Sequence, residues 1–302
     1  MDYHRPVLLE ESINGLNIKP GGIYVDLTFG GGGHSIGILE KLGKKGKLLA
    51  FDQDKDASQN IIKDPRFNFI NANFRFLRNF LRFYKIEKID GVLADLGISS
   101  HQIDIPERGF SFMRDASLDM RMNKGVSKSA ADIINSYDEI DLMKIFREYG
   151  ELPNSKLIVR RIMDMRGIRK IEGTHELADG LSSLFPHQNR NKALAQVFQA
   201  LRIEVNRELD ALKDLLKQLP GLINIGGRLV FLTYHSVEDR IVKNFLRTGN
   251  VEGLLHKDFY GNKLVPFRLI NKNTIVPSEK EVRENPRARS AKLRIAEKLN
   301  HD

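Results

Sequence analysis

The chain has 302 residues, enough for one large domain or two small ones, and its 41% apolar and 29% charged content is that of an ordinary globular protein. No apolar run approaches a membrane span, the N-terminus lacks a signal-peptide pattern, and the lack of cysteine removes disulfides, thiolate catalysis and thiolate metal sites. A cytoplasmic protein without a metal centre is expected, and 48 basic against 39 acidic residues, a net +9, favours a polyanionic partner such as nucleic acid.

In chain order, the opening apolar–acidic segment reads as a short helix before Pro20-Gly-Gly. Residues 23–34, Ile-Tyr-Val-Asp-Leu-Thr-Phe-Gly-Gly-Gly-Gly-His, then read as a buried parallel strand, a glycine loop and a helix start. Adjacent glycines cost backbone entropy, so they mark a place where something approaches the main chain closely. A second strand at 46–54 ends in acids, and Asp52 falls about twenty residues past the loop, where such folds set a carboxylate against ribose hydroxyls. Further strands are expected at 66–70 and 89–95, the last ending in Asp95. Strands alternating with helical stretches indicate an α/β fold with a doubly wound, mostly parallel sheet.

The strand pattern stops near Pro106. Residues 106–196 show amphipathic helical runs and no convincing strand, too long a stretch for a loop, and read as an all-α insertion. The expected division is therefore 1–105 with 197–302 for the sheet domain, and 106–196 for the insertion. A single long helix over 192–219 leads back to a fifth strand at 226–234. A helix follows with Ser236 as N-cap and Glu238 and Asp239 at its positive end. Apolar runs at 266–270 and 292–296 are a candidate terminal hairpin pair.

The loop fails two nucleotide registers. In G-x-G-x-x-G, Gly30 and Gly32 require glycine where Ser35 stands, and Gly31 and Gly33 require it where Ile36 stands. A P-loop requires a lysine after the last glycine, and His34 is there instead. S-adenosylmethionine has no phosphates, and its parts match what remains: glycine backbone for the methionine portion, Asp52 for the ribose, Phe74 for the adenine. Asp26 either attracts the ammonium or orients the loop. Phe76 and Phe80 are expected in the core, which makes core filler the alternative role for Phe74.

Eight motifs carry a resemblance. They are Tyr3-His-Arg-Pro-Val-Leu-Leu, Asp26-Leu-Thr-Phe-Gly-Gly-Gly-Gly-His-Ser, Asp95-Leu-Gly-Ile-Ser-Ser-His-Gln and Glu107-Arg-Gly-Phe-Ser-Phe-Met-Arg-Asp, with Leu118-Asp-Met-Arg-Met, Phe198-Gln-Ala-Leu-Arg-Ile, His235-Ser-Val-Glu-Asp-Arg-Ile-Val-Lys and Asn285-Pro-Arg-Ala-Arg-Ser. Together they resemble, over nearly the whole chain, the bacterial 16S ribosomal RNA cytosine-N4 methyltransferases of the decoding region. The resemblance implies a seven-stranded S-adenosylmethionine-dependent methyltransferase sheet with an inserted helical domain. It places cofactor contacts on Gly32, Gly33, His34, Asp52, Phe74, Asp95 and Gln102, with Gly31 the least important of the glycines.

A cytosine amine is a poor nucleophile, so an acceptor for its protons is needed, and Asp95 at a strand end is the candidate. Related amino-methyltransferases carry Pro-Pro-aromatic after that acid; Leu96-Gly-Ile stands here, which leaves cofactor binding as its other role. His235 is a second candidate acceptor, with helix capping as the alternative. Ser99 and Ser100 are candidate caps. Basic excess marks the RNA footprint: Arg108, Arg114 and Arg121, the stretch 156–170 with Arg160 and Arg161, and the C-terminal Arg287 and Arg289. Phe110 and Phe112 either stack a splayed base or anchor the insertion. The expected substrate is 16S ribosomal RNA, within the small subunit or free, with the enzyme a monomer or homodimer. Two rivals remain at this level. One is a methyltransferase with another acceptor, whose activity would be indifferent to salt. The other is a non-catalytic RNA-binding assembly factor, which would bind no cofactor.

Overall fold

The computed structural model describes residues 6–125, 128–271 and 273–300; Tyr3, His4 and Arg5 of the first motif lie outside them. The chain forms two compact units, Met1–Gly97 with Leu209–Asp302, and Ile98–Glu208. The first opens with α1 (Leu9–Leu16), β1 (Ile23–Asp26), α2 (Gly33–Lys41), β2 (Lys47–Phe51), β3 (Phe67–Ile70), α3 (Leu77–Phe83) and β4 (Ile89–Asp95). The second comprises α4 (Ser100–Asp104), α5 (Ala130–Ser136), α6 (Glu139–Glu148), α7 (Ser155–Ile168), α8 (Thr174–Ser182) and α9 (Arg190–Asn206). The chain returns through α10 (Glu208–Leu222) to β5 (Ile223–Thr233), α11 (Ser236–Thr248), β6 (Phe267–Leu269), α12 (Glu279–Glu284) and β7 (Lys292–Lys298).

The seven strands form one sheet in the order β3-β2-β1-β4-β5-β7-β6. β1 through β5 pair in parallel, while β7 runs antiparallel between β5 and β6. Apolar side chains cover both faces, which is why these strands read as unbroken apolar runs. Val25, Leu49, Val92 and Phe231 pack with α3, α10 and α11 residues on one face. Tyr24, Leu48, Leu93 and Val230 pack with α1 and α2 residues on the other. A fully buried Leu or Phe in such a core contributes roughly 1.5–3 kcal/mol. Strand order reverses at β1 and β4, so their carboxyl ends open the crevice in which such sheets bind ligands.

Four expectations shift. The helix over 192–219 is two helices, broken where Arg207 takes a left-handed φ of 49°. β5 begins at Ile223, ahead of the glycines; its pairing with β4 jumps from Ile89↔Ile223 to Gly91↔Arg228, and Gly226 at φ 74° carries the bulge. The terminal pair is antiparallel, but α12 separates its strands, so it is not a hairpin. The unit boundaries fall at 97/98 and 208/209, not at 105/106 and 196/197. The cause is packing. Phe110, Val197, Phe198, Leu201 and Val205 are buried in one core with α5–α8, so all of α9 goes with the helices.

Candidate functional site

The loop between β1 and α2 is built from both ends. Asp26, fully buried, accepts from Ser35 Oγ at 2.7 Å and from the Thr28 N–H at 3.0 Å, tying the strand to the first turn of α2. Burial holds its carboxyl above the usual range. Of the two sequence readings, this geometry is loop orientation. The four glycines have separate reasons. Gly30 and Gly32 have φ of 50° and 81°, a region that costs any side chain. A Cβ on Gly33 would fall 2.2 Å from Pro6 Cγ, so this glycine admits the N-terminal segment. A Cβ on Gly31 would meet nothing within 4 Å. The loop crest therefore faces open space there.

Asp52 lies just past β2. Its Oδ2 accepts from the Gly30 N–H at 2.8 Å and its Oδ1 from the Asp54 N–H at 2.8 Å. Gly30 thus spends its amide on the carboxylate, not on a ligand. Burial pushes the Asp52 carboxyl up to about 6, against the lowering effect of those amides. Each oxygen still has a lone pair for a further donor. Phe74 opens the short 3-10 turn after β3 and packs, partly buried, against the sheet core. Asn73 caps that turn and bonds Gln53 beside Asp52 at 2.7 Å.

Asp95 ends β4. Its backbone N–H donates to Thr28 Oγ1 at 2.7 Å, and its Oδ1 accepts from Tyr234 Oη at 2.6 Å. Its Oδ2 faces His34 Nδ1 at 3.8 Å, and its side chain remains 24% exposed. Burial pushes this carboxyl up to about 7, with Tyr234 pulling it down and the Glu238 charge adding to the rise. The His34 ring is buried; its Nε2 lies 3.2 Å from the Val7 carbonyl, which as an acceptor assigns the proton to Nε2 and the lone pair to Nδ1. Burial lowers the His34 pKa, so a neutral ring faces Asp95.

Tyr234, at the end of β5, is the residue that sequence reasoning did not weigh. Burial first, then Asp95, raise its pKa well above the ordinary tyrosine value, so it stays a donor to that carboxylate. Its position, directly before His235-Ser-Val-Glu-Asp-Arg, was the available signal. His235 itself caps α11: its Nδ1 accepts from the Glu238 N–H at 3.4 Å, and its Nε2 lies 3.1 Å from Glu238 Oε2. The cap is His235, not Ser236, which is the first helical residue. Its Nδ1 serves the helix start, the capping alternative, while its buried Nε2 makes no hydrogen bond among the described residues.

The remaining candidates fall differently. Gln102 belongs to the helical unit, where its Oε1 accepts from the Ser99 N–H at 3.2 Å, and Ser99 Oγ accepts from the Gln102 N–H at 3.2 Å, a capping box for α4. Arg108 is 3% exposed and donates to the carbonyls of Arg121 and Met122 at 2.9 and 3.1 Å, over the Phe110 ring. Arg121 is clamped to Asp119 by two bonds of 2.7 and 2.9 Å. Both arginines are used inside the helical unit. Arg114, Arg160, Arg161, Arg287 and Arg289 are exposed, although Arg161 Nε also donates to the Gly180 carbonyl. Phe110 is buried and Phe112 packs on Phe198, so both anchor the helical unit.

The residues fit S-adenosylmethionine on one structural ground: Asp52 and Asp95 lie beside an open glycine loop that Asp26 holds in place, and among the described residues neither is paired with Arg or Lys. An ammonium and two ribose hydroxyls supply what those oxygens lack. Sheet order, loop and acids define an S-adenosylmethionine-dependent methyltransferase.

Sequence comparison narrows the class. The model of the MraW methylase family matches residues 1–299, and the chain belongs to that family. The "Ribosomal RNA small subunit methyltransferase H" of Bacteroides thetaiotaomicron is 55% identical over 298 residues, covering 99% of this chain and 98% of that protein. The protein of the same description from Flavobacterium johnsoniae is 54% identical over 299 residues, covering 99% of each.

Proposed function

We propose that this protein transfers the methyl group of S-adenosylmethionine to the exocyclic N4 amine of a cytidine in 16S ribosomal RNA of the small subunit. The observation that carries it is the pair Asp52 and Asp95, after β2 and at the end of β4, held by neutral donors with no Arg or Lys partner among the described residues, beside a glycine loop open at Gly31. Family membership and the small-subunit relatives support the RNA acceptor.

The cofactor supplies an activated methyl on a sulfonium, a good leaving group, so the protein's task is chiefly positioning. Asp52 accepts from the ribose hydroxyls while its amide donors fix its plane. Gly32, Gly33 and the His34 backbone form the wall beside the methionine portion, and Phe74 packs by the adenine. Asp95, held at Oδ1 by Tyr234, keeps Oδ2 for a cationic or N–H donor. When ionised, that oxygen accepts from the cofactor ammonium or from the cytosine amine, relieving positive charge as the nitrogen is alkylated. The helical unit is the RNA-recognition domain in this reading. Arg114, Arg160 and Arg161, with Arg287 and Arg289 of the sheet unit, bind phosphates. His235 holds the start of α11, and Gln102 orients the segment after β4. The protein works as a monomer or homodimer in the cytoplasm.

The test is methyl incorporation from labelled cofactor into isolated small subunits and into naked 16S RNA, read by nucleoside mass spectrometry. N4-methylcytidine in either substrate is the expected product. Absence of transfer to both would refute the proposal.

A further inference from the structure

Sequence patterning assigned Phe76 and Phe80 to the core, and the structure separates them. Phe80 packs edge-on against Phe51, 5.6 Å between ring centroids, while Phe76 is 49% exposed. Phe76 is not alone. Phe83 is 76% exposed and meets Tyr84, itself 36% exposed, edge-on at 5.3 Å. Phe76 directly precedes α3, Phe83 ends it and the part-exposed Tyr84 follows it, while Leu77 and Leu81 on the inner side of the helix are fully buried. Hydration of the exposed rings is unfavourable, and three such rings within residues 76–84 concentrate apolar surface of the kind that marks binding sites.

The charges around the stripe say what it binds. From Arg75 to Lys88 there are five basic residues and one acid, Glu87. Arg75 is bonded to Asp214 and lies over the Phe76 ring at 5.9 Å. Arg78, Arg82 and Lys85 are exposed, and among the described residues none has an acidic partner. Arg78, Arg82 and Lys85 follow one another at i, i+4 and i+7 and form one row, while Phe76 and Phe83, seven residues apart, form a second row across the exposed Asn79. An apolar protein surface would leave the arginine row unmatched. A second copy docked by two-fold symmetry would set like charges against each other. Rings for bases and a parallel row of guanidinium groups for phosphates match single-stranded RNA. The turn holding Phe74 and Phe76 follows the carboxyl end of β3, so this face begins at the edge of the sheet that carries Asp52 and Asp95.

We infer that the exposed face of α3, with Phe76, Phe83 and Tyr84 as stacking platform and Arg78, Arg82 and Lys85 as phosphate row, binds an unpaired segment of the substrate RNA. The inference rests on the proposed RNA acceptor and names where part of that RNA is held.

The test uses the full-length R78Q/R82Q and F76A/F83A proteins, each first shown by calorimetry to keep wild-type cofactor affinity. Both are titrated against a short unstructured RNA oligonucleotide over a range of salt. The arginine variant is expected to lose about tenfold or more in affinity, its log–log salt slope flattening by roughly 1.4 for two lost phosphate contacts. The phenylalanine variant is expected to weaken by about tenfold or more with its slope unchanged, since stacking is not ionic. On small subunits both raise KM and leave kcat, because the contact is the same before and during transfer. Unchanged oligonucleotide affinity and KM in both variants overturn the inference; if the wild type still methylates, the functional reading stands without it. If sedimentation shows that the substitutions dissociate a dimer and leave RNA affinity intact, the face belongs to a second copy and the inference falls.

Discussion

Two sets of acids in this protein live under opposite rules. Asp64, Asp119 and Asp239 are each bonded to arginine, and their carboxyls sit below the usual range, Asp64 at about 2. Asp26, Asp52 and Asp95 have amide, hydroxyl and neutral imidazole neighbours instead, and all three are raised. The chain does not lack arginine to pair with them. It places arginine elsewhere: Arg294 on Asp239, Arg121 on Asp119, Arg108 on backbone carbonyls. Buried carboxylates without cations are costly in an empty fold. Their concentration at one sheet edge is what a ligand bearing an ammonium and hydroxyls would repay.

Asp52→Ala removes the acceptor for two ribose hydroxyls, an expected loss of about 3 kcal/mol or roughly a hundredfold in cofactor affinity. Calorimetry with S-adenosylmethionine checks it, and unchanged affinity would remove Asp52 from the site. The counterpart on the paired side is Asp239→Asn, which strands Arg294 and Lys292. This variant should lose about 2 kcal/mol of stability in denaturant titration and leave cofactor affinity near wild type.

Two glycines sharpen the loop. Gly33→Ala should cost about 2 kcal/mol through the collision with Pro6, whereas Gly31→Ala should stay within about 0.5 kcal/mol in the ligand-free protein. Equal melting temperatures for the two would show that the loop geometry is misread. The smallest effect is expected for Tyr234→Phe. Its hydroxyl lowers the Asp95 pKa, so the variant carboxyl should ionise at a higher pH than about 7. In the unfolded chain Asp95 is ionised above its ordinary value near 4, while the native carboxyl keeps its proton to about 7. Stability from this group is complete below about pH 4 and fades as pH rises through about 7. Melting of the ligand-free protein against pH should show that fade displaced upward in Tyr234→Phe.

Much of this organisation was legible in the chain. Apolar runs ending in acids gave β1, β2 and β4, because a buried parallel strand leaves little freedom in composition. The glycine register alone excludes phosphate loops. What patterning missed depended on tertiary neighbours. The left-handed Arg207 breaks a helix whose two halves are both good helix formers. Charge counting could not separate Arg108, buried on carbonyls, from exposed Arg114. Periodicity alone did not tell Phe76 from Phe80. Tyr234 gained its role only when β5 was laid beside β4.

Asp52 and Asp95 have no Arg or Lys partner among the described residues, which leaves them to the ammonium and hydroxyls of the cofactor. Calorimetric titration of wild-type protein with S-adenosylmethionine, from below pH 6 to above pH 7, tests it directly, since Asp52 and Asp95 ionise across that window. Affinity should climb with pH and binding should release protons, with the climb reduced in Asp95→Asn. Affinity independent of pH, with no proton release, would contradict the account.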